Sequence, residues 1–247
     1  MSNENNPQNT EDTNLVAINS QPTSPKRKKN FWYWIRLATK VVLYAHLIFI
    51  VLIGILSTIY INTNPSKTVL MLYRDGFKKE KPSFVPLRNI SSSFQDDLIN
   101  LEDGNFREHY GIDIDAIKRA KAKNEEVGYT AQGGSTISQQ LARTLFLTPH
   151  RTYFRKYLEL IITFELELIV GKDRILELYI NYAELGKGVY GFNDASLHYY
   201  NKPFVKTSTD QKIRMMTILA SPINYSPQTL HQNKTLENRY KFIYRYR

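Results

Sequence analysis

One stretch, Leu101 to Glu159, concentrates two carboxylates, a pair of glutamines and a set of cations. It opens Glu102-Asp103-Gly104-Asn105-Phe106-Arg107-Glu108-His109-Tyr110-Gly111, runs through Gln132-Gly133-Gly134-Ser135-Thr136-Ile137-Ser138-Gln139-Gln140-Leu141-Ala142-Arg143, and closes Arg151-Thr152-Tyr153-Phe154-Arg155-Lys156-Tyr157-Leu158-Glu159. Glu102 stands near Leu101 and Phe106, and a carboxylate among apolar neighbours is suited to give or take a proton near neutral pH. The same Glu-Asp pair would also serve as an ordinary acidic helix end. Gly133-Gly134-Ser135-Thr136 precedes a helical pattern, where free N–H groups receive anions; simple capping accounts for the same residues. Gln139 and Arg143 fall four apart on one face, with Gln140 beside them. Arg151, Arg155 and Glu159 are spaced i, i+4, i+8. On an exposed helix they would be a ladder worth about 0.3–0.5 kcal/mol per pair; on a buried helix, charge lines a cleft. Their helix reads as apolar nearly all round, which favours the cleft. Taken together, the stretch reads as one site for a large, polar, phosphate-bearing substrate.

The elements that must position these groups are mainly helical. Asp113 to Asn124 has helical spacing, with Ile114, Ile117 and Ala120 or Lys121 on one stripe. Thr136 with Gln139 predicts a capping box, and Ile137, Leu141 and Leu145 form the apolar face behind it. After Thr148-Pro149 the next helix runs to about Val170, stopped by Gly171. Its continuous apolar composition predicts burial at the centre of a domain. Further helices are expected at Asp173–Asn181, Asn193–Tyr200 and Thr209–Leu219. Thr68–Tyr73 reads as a short strand, Phe84–Leu87 as extended because of Pro86, and Ser221-Pro222 and Ser226-Pro227 as loops. Gly186-Lys187-Gly188-Val189-Tyr190-Gly191 matches G-x-G-x-x-G, but no strand precedes it and no βαβ unit surrounds it, so it reads as a tight loop rather than a dinucleotide site.

At 247 residues there is room for one sizeable domain and a tail, or at most two small domains. The formal charge of +10 points to an anionic partner or to an ordinary basic surface. With no cysteine, disulfides and Cys-based metal sites are excluded. The five histidines show no zinc-binding spacing. The first 25 or so residues are too polar to offset their ordering entropy and read as disordered. Lys26-Arg27-Lys28-Lys29 and Phe31-Trp32-Tyr33-Trp34 then precede Val41–Ile61, a run without a formally charged side chain. As a helix this run spans about 30 Å, the thickness of a hydrocarbon core. The basic cluster on its N-terminal side predicts an uncleaved signal anchor with a cytosolic N-terminus and everything after Ile61 outside.

With these pieces in order, the chain resembles the peptidoglycan glycosyltransferases of the lysozyme-like family, which polymerise lipid-linked disaccharide into glycan strands. The motif E-D-x-x-F-x-x-H-x-G is met by Glu102, Asp103, Phe106, His109 and Gly111. G-G-S-T-I-x-Q-Q-L is met by Gly133 to Ile137, Gln139, Gln140 and Leu141; R-K-x-x-E by Arg155, Lys156 and Glu159; I-L-E-x-Y-x-N by Ile175, Leu176, Glu177, Tyr179 and Asn181. The similarity covers about Asn100 to Pro227. Arg143-Thr144 stands where the family often has Lys-Asn, Asn201 where glycine is common, and Thr209-Asp210-Gln211 replaces a frequent Leu-Thr-x-x-Glu helix start. Two-domain members carry a penicillin-binding transpeptidase, for which a chain ending at Arg247 is too short, so the monofunctional kind is expected.

The resemblance implies a mainly α, lysozyme-like glycosyltransferase domain behind a single transmembrane helix. The expected division is 1–39 cytosolic basic tail, 40–62 anchor, 63–95 juxtamembrane linker and 96–247 catalytic domain. It implies lipid II and a growing glycan chain as substrates, with membrane lipid and other cell-wall synthesis proteins as partners, no nucleic acid, and a place in the bacterial cytoplasmic membrane. Glu102 would be the general base and Glu159 the second catalytic carboxylate. Asp103, Phe106, His109, Gly134, Ser135, Thr136, Gln139, Gln140, Arg143, Arg151, Arg155 and Lys156 would bind substrate. The cations would receive the leaving pyrophosphate alone or with a divalent metal ion (Mg or Mn), held by Glu159 together with the pyrophosphate and not by a protein-built site. Two rivals stand beside this reading. A lysozyme-type hydrolase explains Glu102 but not the cations around Glu159. A non-enzymatic, membrane-anchored binding protein explains the charge but not two glutamates among ordered amides.

Overall fold

The computed structural model describes residues 30–76, 81–128 and 133–245. The expected disordered tail, the Lys26–Lys29 cluster and Gln132 lie outside the described residues. The chain divides into two compact units, Met1–Tyr44 and Ala45–Arg247. Helix α1 (Phe31–Asn62) begins in the first and ends in the second. It is long and apolar enough to cross a membrane, with a mean hydropathy of 2.5 in its most apolar window. From His46 onward one seam turns inward, through His46, Phe49, Ile53, Ser57 and Tyr60. Steps of three and four residues keep those positions on one side of a helix. Most of the remaining apolar side chains of α1 stay exposed.

Thr68–Tyr73 is not a strand. Thr68 caps helix α2 (Val69–Asp75), its hydroxyl accepting the Met71 N–H at 3.2 Å, and Leu70 and Met71 enter the core. A short apolar run does not distinguish strand from helix by periodicity, and here the N-cap decides. Of the stretch Phe84–Leu87 expected to be extended, Pro86 is extended and Leu87 already begins a turn of 3-10 helix, and the segment is held by side chains of a helix. The Asn181 amide bonds both Val85 N–H (2.7 Å) and Val85 C=O (2.9 Å), and Glu177 accepts the Leu87 N–H at 2.7 Å. A single turn of 3-10 helix, Leu87–Asn89, leads into α3 (Ser92–Glu102), whose last residue is Glu102.

Helix α4 (Ile114–Val127) is capped by Asp113 and ended by Gly128, but Ile114 and Ile117 stay exposed and only Ala120 of the expected stripe is buried. Helix α5 (Ile137–Phe146) lies at the centre and packs on α2, α6 (Tyr153–Ile169) and α7 (Lys172–Tyr182). The predicted Thr136–Gln139 capping box is present, and Ile137, Leu141 and Leu145 are buried behind it. The G-x-G-x-x-G segment forms a small hairpin, β1 (Glu184–Gly186) with β2 (Val189–Tyr190), between α7 and α8 (Phe192–Tyr200). Asn201 closes α8 in the left-handed region at φ 52°, where asparagine is the best-tolerated substitute for glycine. Helix α9 (Thr209–Ile218) keeps a full capping box, Ser208 with Gln211, despite its altered start. The last helix, α10 (Lys234–Arg245), lies beyond the segment read from sequence and packs on α9 and α3. Phe94, Phe192 and Phe204 meet at centroid distances of 4.8–5.8 Å and fasten α3 to α8.

Helix α6 corrects one expectation. It is not buried all round: Glu159, Ile162, Thr163 and Leu166 face inward, while Tyr153, Phe154, Tyr157, Phe164 and Leu168 are exposed. Composition alone cannot separate a helix covered by protein from one whose apolar flank faces something else. Part of α6 runs along α1, with Tyr157 beside His46 and Glu165 facing Gly54. Both Glu165 carboxylate oxygens are shielded and lack a hydrogen-bond partner, and burial pushes this carboxyl above its ordinary value of 4.5. The folded state therefore binds more protons than the unfolded chain between 4.5 and the raised value, so stability falls as pH rises through that interval. Glu165→Gln removes this slope. Thermal unfolding of wild type and variant across pH should show their difference widening toward neutrality, and parallel curves would refute the assignment.

Candidate active site

Glu102 closes α3 with a side chain only 8% exposed. One oxygen pairs with the Arg239 guanidinium of α10, and the other accepts the Gln140 amide of α5 at 3.0 Å. Gln140 is fixed in turn by the Tyr179 hydroxyl of α7, which donates to it at 3.0 Å. Burial first, and then the charge of Glu102, raise the Tyr179 phenol well above its usual value, so it remains a donor. Three helices thus hold one carboxylate. Arg239 escaped the sequence reading: it is 137 positions from Glu102, and a single arginine in a charged C-terminal segment carries no signal of its own.

The neighbouring carboxylate does different work. Asp103 leaves the helix and turns inward, accepting the Ile137 N–H at 2.9 Å and His109 Nε2 at 2.9 and 3.0 Å. The Gly111 N–H donates to His109 Nδ1 at 3.0 Å, so the ring proton sits on Nε2 and points at Asp103. The Thr136 hydroxyl closes the loop onto Gly111 C=O at 2.7 Å. Gly111 itself is required, because at φ 91° a β-carbon would lie 2.6 Å from Thr163 Cγ2. Asp103 and His109 therefore tie the loop after Glu102 to the start of α5.

Phe106 and Gln139, expected above to meet substrate, are buried, and Thr136 is buried apart from a small surface on the cavity beside Glu102. Phe106 packs in the core beneath Lys172; Thr136 and Gln139 exchange the capping hydrogen bonds of α5, and the Thr136 hydroxyl also donates to Gly111 C=O. Gly134 lets α4 approach, since a β-carbon there would sit 3.0 Å from Ile117 Cα. Gly134 and Ser135 do border a cavity of about 200 Å³ beside Glu102, shared with Asn100, Asp113 and Arg119. Asp113 lies 3.6 Å from Arg119. The Ala116 N–H, helped by Asn105 and Arg119 against burial, holds the Asp113 carboxyl below the usual aspartate range. Asn100 and Arg119 are polar groups at this cavity that motif reading passed over.

The cations divide into two kinds. Glu159 is completely buried and lies 2.5 Å from both Arg155 Nη1 and Lys156 Nζ. The side chains of Arg143 on α5, half-buried, and Arg151 ahead of α6, exposed, make no hydrogen bond or ion pair with any described residue. Arg143 acts only through space, favouring the charged forms of Glu184 and Tyr179. A metal does not fit Glu159 as it stands, because both oxygens are already engaged by cations, and the described residues contain no group of three metal-binding side chains. The fourth motif is mostly framework: Ile175 and Leu176 are core, Glu177 and Asn181 hold the 81–87 segment, and Tyr179 supports Gln140.

Comparison with known proteins gives the family. A protein named biosynthetic peptidoglycan transglycosylase from Janthinobacterium sp. (strain Marseille) is 37% identical over 206 residues, covering 81% of this chain and 87% of the relative. One of the same name from Azoarcus sp. (strain BH72) is 40% identical over 169 residues, covering 66% and 73%. The family model described as Transglycosylase matches residues 67–246, from the start of α2 through α10, and the chain belongs to that family.

Proposed function

We propose that this enzyme polymerises lipid II, joining its disaccharide units into glycan strands with inversion and release of undecaprenyl pyrophosphate. Membership of the transglycosylase family makes the chain a glycosyltransferase of peptidoglycan synthesis. The observation that carries the finer reading is a carboxylate fixed by three helices in a chain that also holds two guanidinium groups, Arg143 and Arg151, without a hydrogen bond or ion pair among the described residues. In this mechanism Glu102 takes the proton from the 4-hydroxyl of the acceptor N-acetylglucosamine. That oxygen bonds to the anomeric carbon of the donor N-acetylmuramic acid as the bond to pyrophosphate breaks. The leaving group departs with its electron pair, and Arg143 and Arg151 receive the charge, with Arg155 and Lys156 beside Glu159 as reserve. No step needs a protein-bound metal; a divalent ion would enter with the pyrophosphate.

Gln140 orients Glu102, while Arg239 occupies its other oxygen until the acceptor arrives. Hydrolysis of the lysozyme kind commonly employs a second carboxylate. Asp103, the adjacent one, has its oxygens taken by His109 and Ile137, which favours transfer.

The exposed apolar flank of α6 beside α1 supports a domain resting against the bilayer. A cytosolic N-terminus and an extracytoplasmic domain in the cytoplasmic membrane follow from the basic residues ahead of α1. The test is to supply vesicle-borne lipid II to the purified full chain. A ladder of glycan with equimolar undecaprenyl pyrophosphate is expected. Soluble muropeptides released from finished wall, with no polymer, would replace this reading with the hydrolase.

A further inference from the structure

We propose that Arg174 is a positioning residue that clamps the end of α1 to the catalytic core, so that the anchor fixes where Glu102 stands relative to the bilayer. This rests on the reading of α1 as a membrane anchor and of the substrate as lipid-borne. The last carbonyls of any helix lack intrahelical partners and are met by side chains, water or a tightened last turn. At the end of α1, Tyr60 C=O and the two residues after the helix, Thr63 and Asn64, are met by one side chain. Arg174 Nε donates to Tyr60 C=O at 2.9 Å, and Nη2 donates to Thr63 C=O at 2.7 Å and to Asn64 Oδ1 at 2.8 Å. Its remaining arm, Nη1, pairs with Glu177. The guanidinium carbon lies 5.6 Å from the centre of the Phe84 ring, and the side chain is 15% exposed.

A planar fork can meet acceptors in several fixed directions at once, which an ammonium on a flexible stem cannot. Its charge also suits the negative end of the helix dipole. Glu177, which the fork grips, accepts the Leu87 N–H and so holds the segment that leaves the anchor for α3. Along the same helix, Tyr179 supports Gln140 and, through it, Glu102. Helix α7 therefore grips the anchor with one residue and the catalytic carboxylate's support with another. A simple tether would need neither the fork nor the aromatic cover.

The experiment uses the full chain with Arg174→Gln and Arg174→Lys, assayed on lipid II in vesicles and in mixed detergent micelles. In vesicles the bilayer sets the height of the substrate; in micelles the detergent adapts to the protein. For Arg174→Gln, KM in vesicles should rise about tenfold or more, while kcat in micelles stays at the wild-type value; Arg174→Lys should recover part of the loss. The chain has no cysteine, so Leu47→Cys with Val205→Cys gives a unique spin-label pair, and its distance distribution should broaden in Arg174→Gln. An unchanged vesicle KM with an unchanged distribution would overturn the proposal. So would equal losses in vesicles and micelles with a narrow distribution, which would mark a local structural role. A wild type that makes no polymer would instead overturn the functional reading, and the distance measurement would still test the clamp.

Discussion

Glu102→Gln should leave the protein folded and lower the polymerisation rate by roughly 10²–10⁴-fold, the range ascribed to a positioned general base. The substitution keeps the shape of the side chain and an oxygen that can accept from Gln140, so the Gln140–Tyr179 support remains intact. What is lost is the ability to take a proton, together with the negative partner of Arg239. That guanidinium is 22% exposed and can turn to water, so the change in melting temperature should be small. Binding of lipid II should survive while turnover fails. The measurement is single-turnover polymerisation beside thermal unfolding of the same preparations. Equal polymer yields from variant and wild type would remove Glu102 from its role.

Glu159→Gln should damage both stability and turnover, for a different reason. Glu159 is fully buried and satisfies Arg155 and Lys156 together. Removing one partner of a buried ion pair costs about 3–5 kcal/mol, because the remaining charge keeps its desolvation penalty. The low end of that range applies here, since Lys156 is 40% exposed and can swing into solvent while Arg155, at 14%, cannot. Denaturant unfolding reads the loss. A further variant separates structure from chemistry: Glu159→Met with Arg155→Leu removes the buried charges as a pair and should regain much of the stability. Its turnover should remain low, because Arg155 is then gone and Lys156 no longer has Glu159 to order it. Recovery of full activity in that double variant would reduce Glu159 to a structural residue.

The sequence reveals much of this architecture because local rules agree with the fold. Thr136 and Gln139 announce the start of α5, and the i, i+4, i+8 spacing of Ile137, Leu141 and Leu145 gives its buried face. What stayed hidden is long-range or depends on the surrounding medium. Arg239 meets Glu102 across the whole catalytic region; Leu236, Tyr240 and Ile243 give α10 an apolar stripe at helical spacing, but nothing local in that stripe says which distant carboxylate an arginine beside it meets. Asp103 and His109 have the residue types of a binding site, and their hydrogen bonds also make them struts, which the motif does not reveal. The composition of α6 suggested an interior helix, and its one buried stripe with an uncovered apolar flank shows why periodicity needs to be joined to knowledge of what surrounds a helix.

The order in which the chain is made gives the Arg174 clamp a temporal meaning. The anchor is synthesised first, but the residue that grips it follows Tyr60 by 114 positions. At translation rates of about 5–20 residues per second, the interval is roughly 6–23 s. During that time α1 is in place with Tyr60 C=O not yet gripped by the fork. The catalytic domain is then not carried into position by a finished anchor; it captures the anchor once α7 has emerged and folded. A nascent enzyme cut short before Arg174 would hold a membrane helix and Glu102 without the clamp between them.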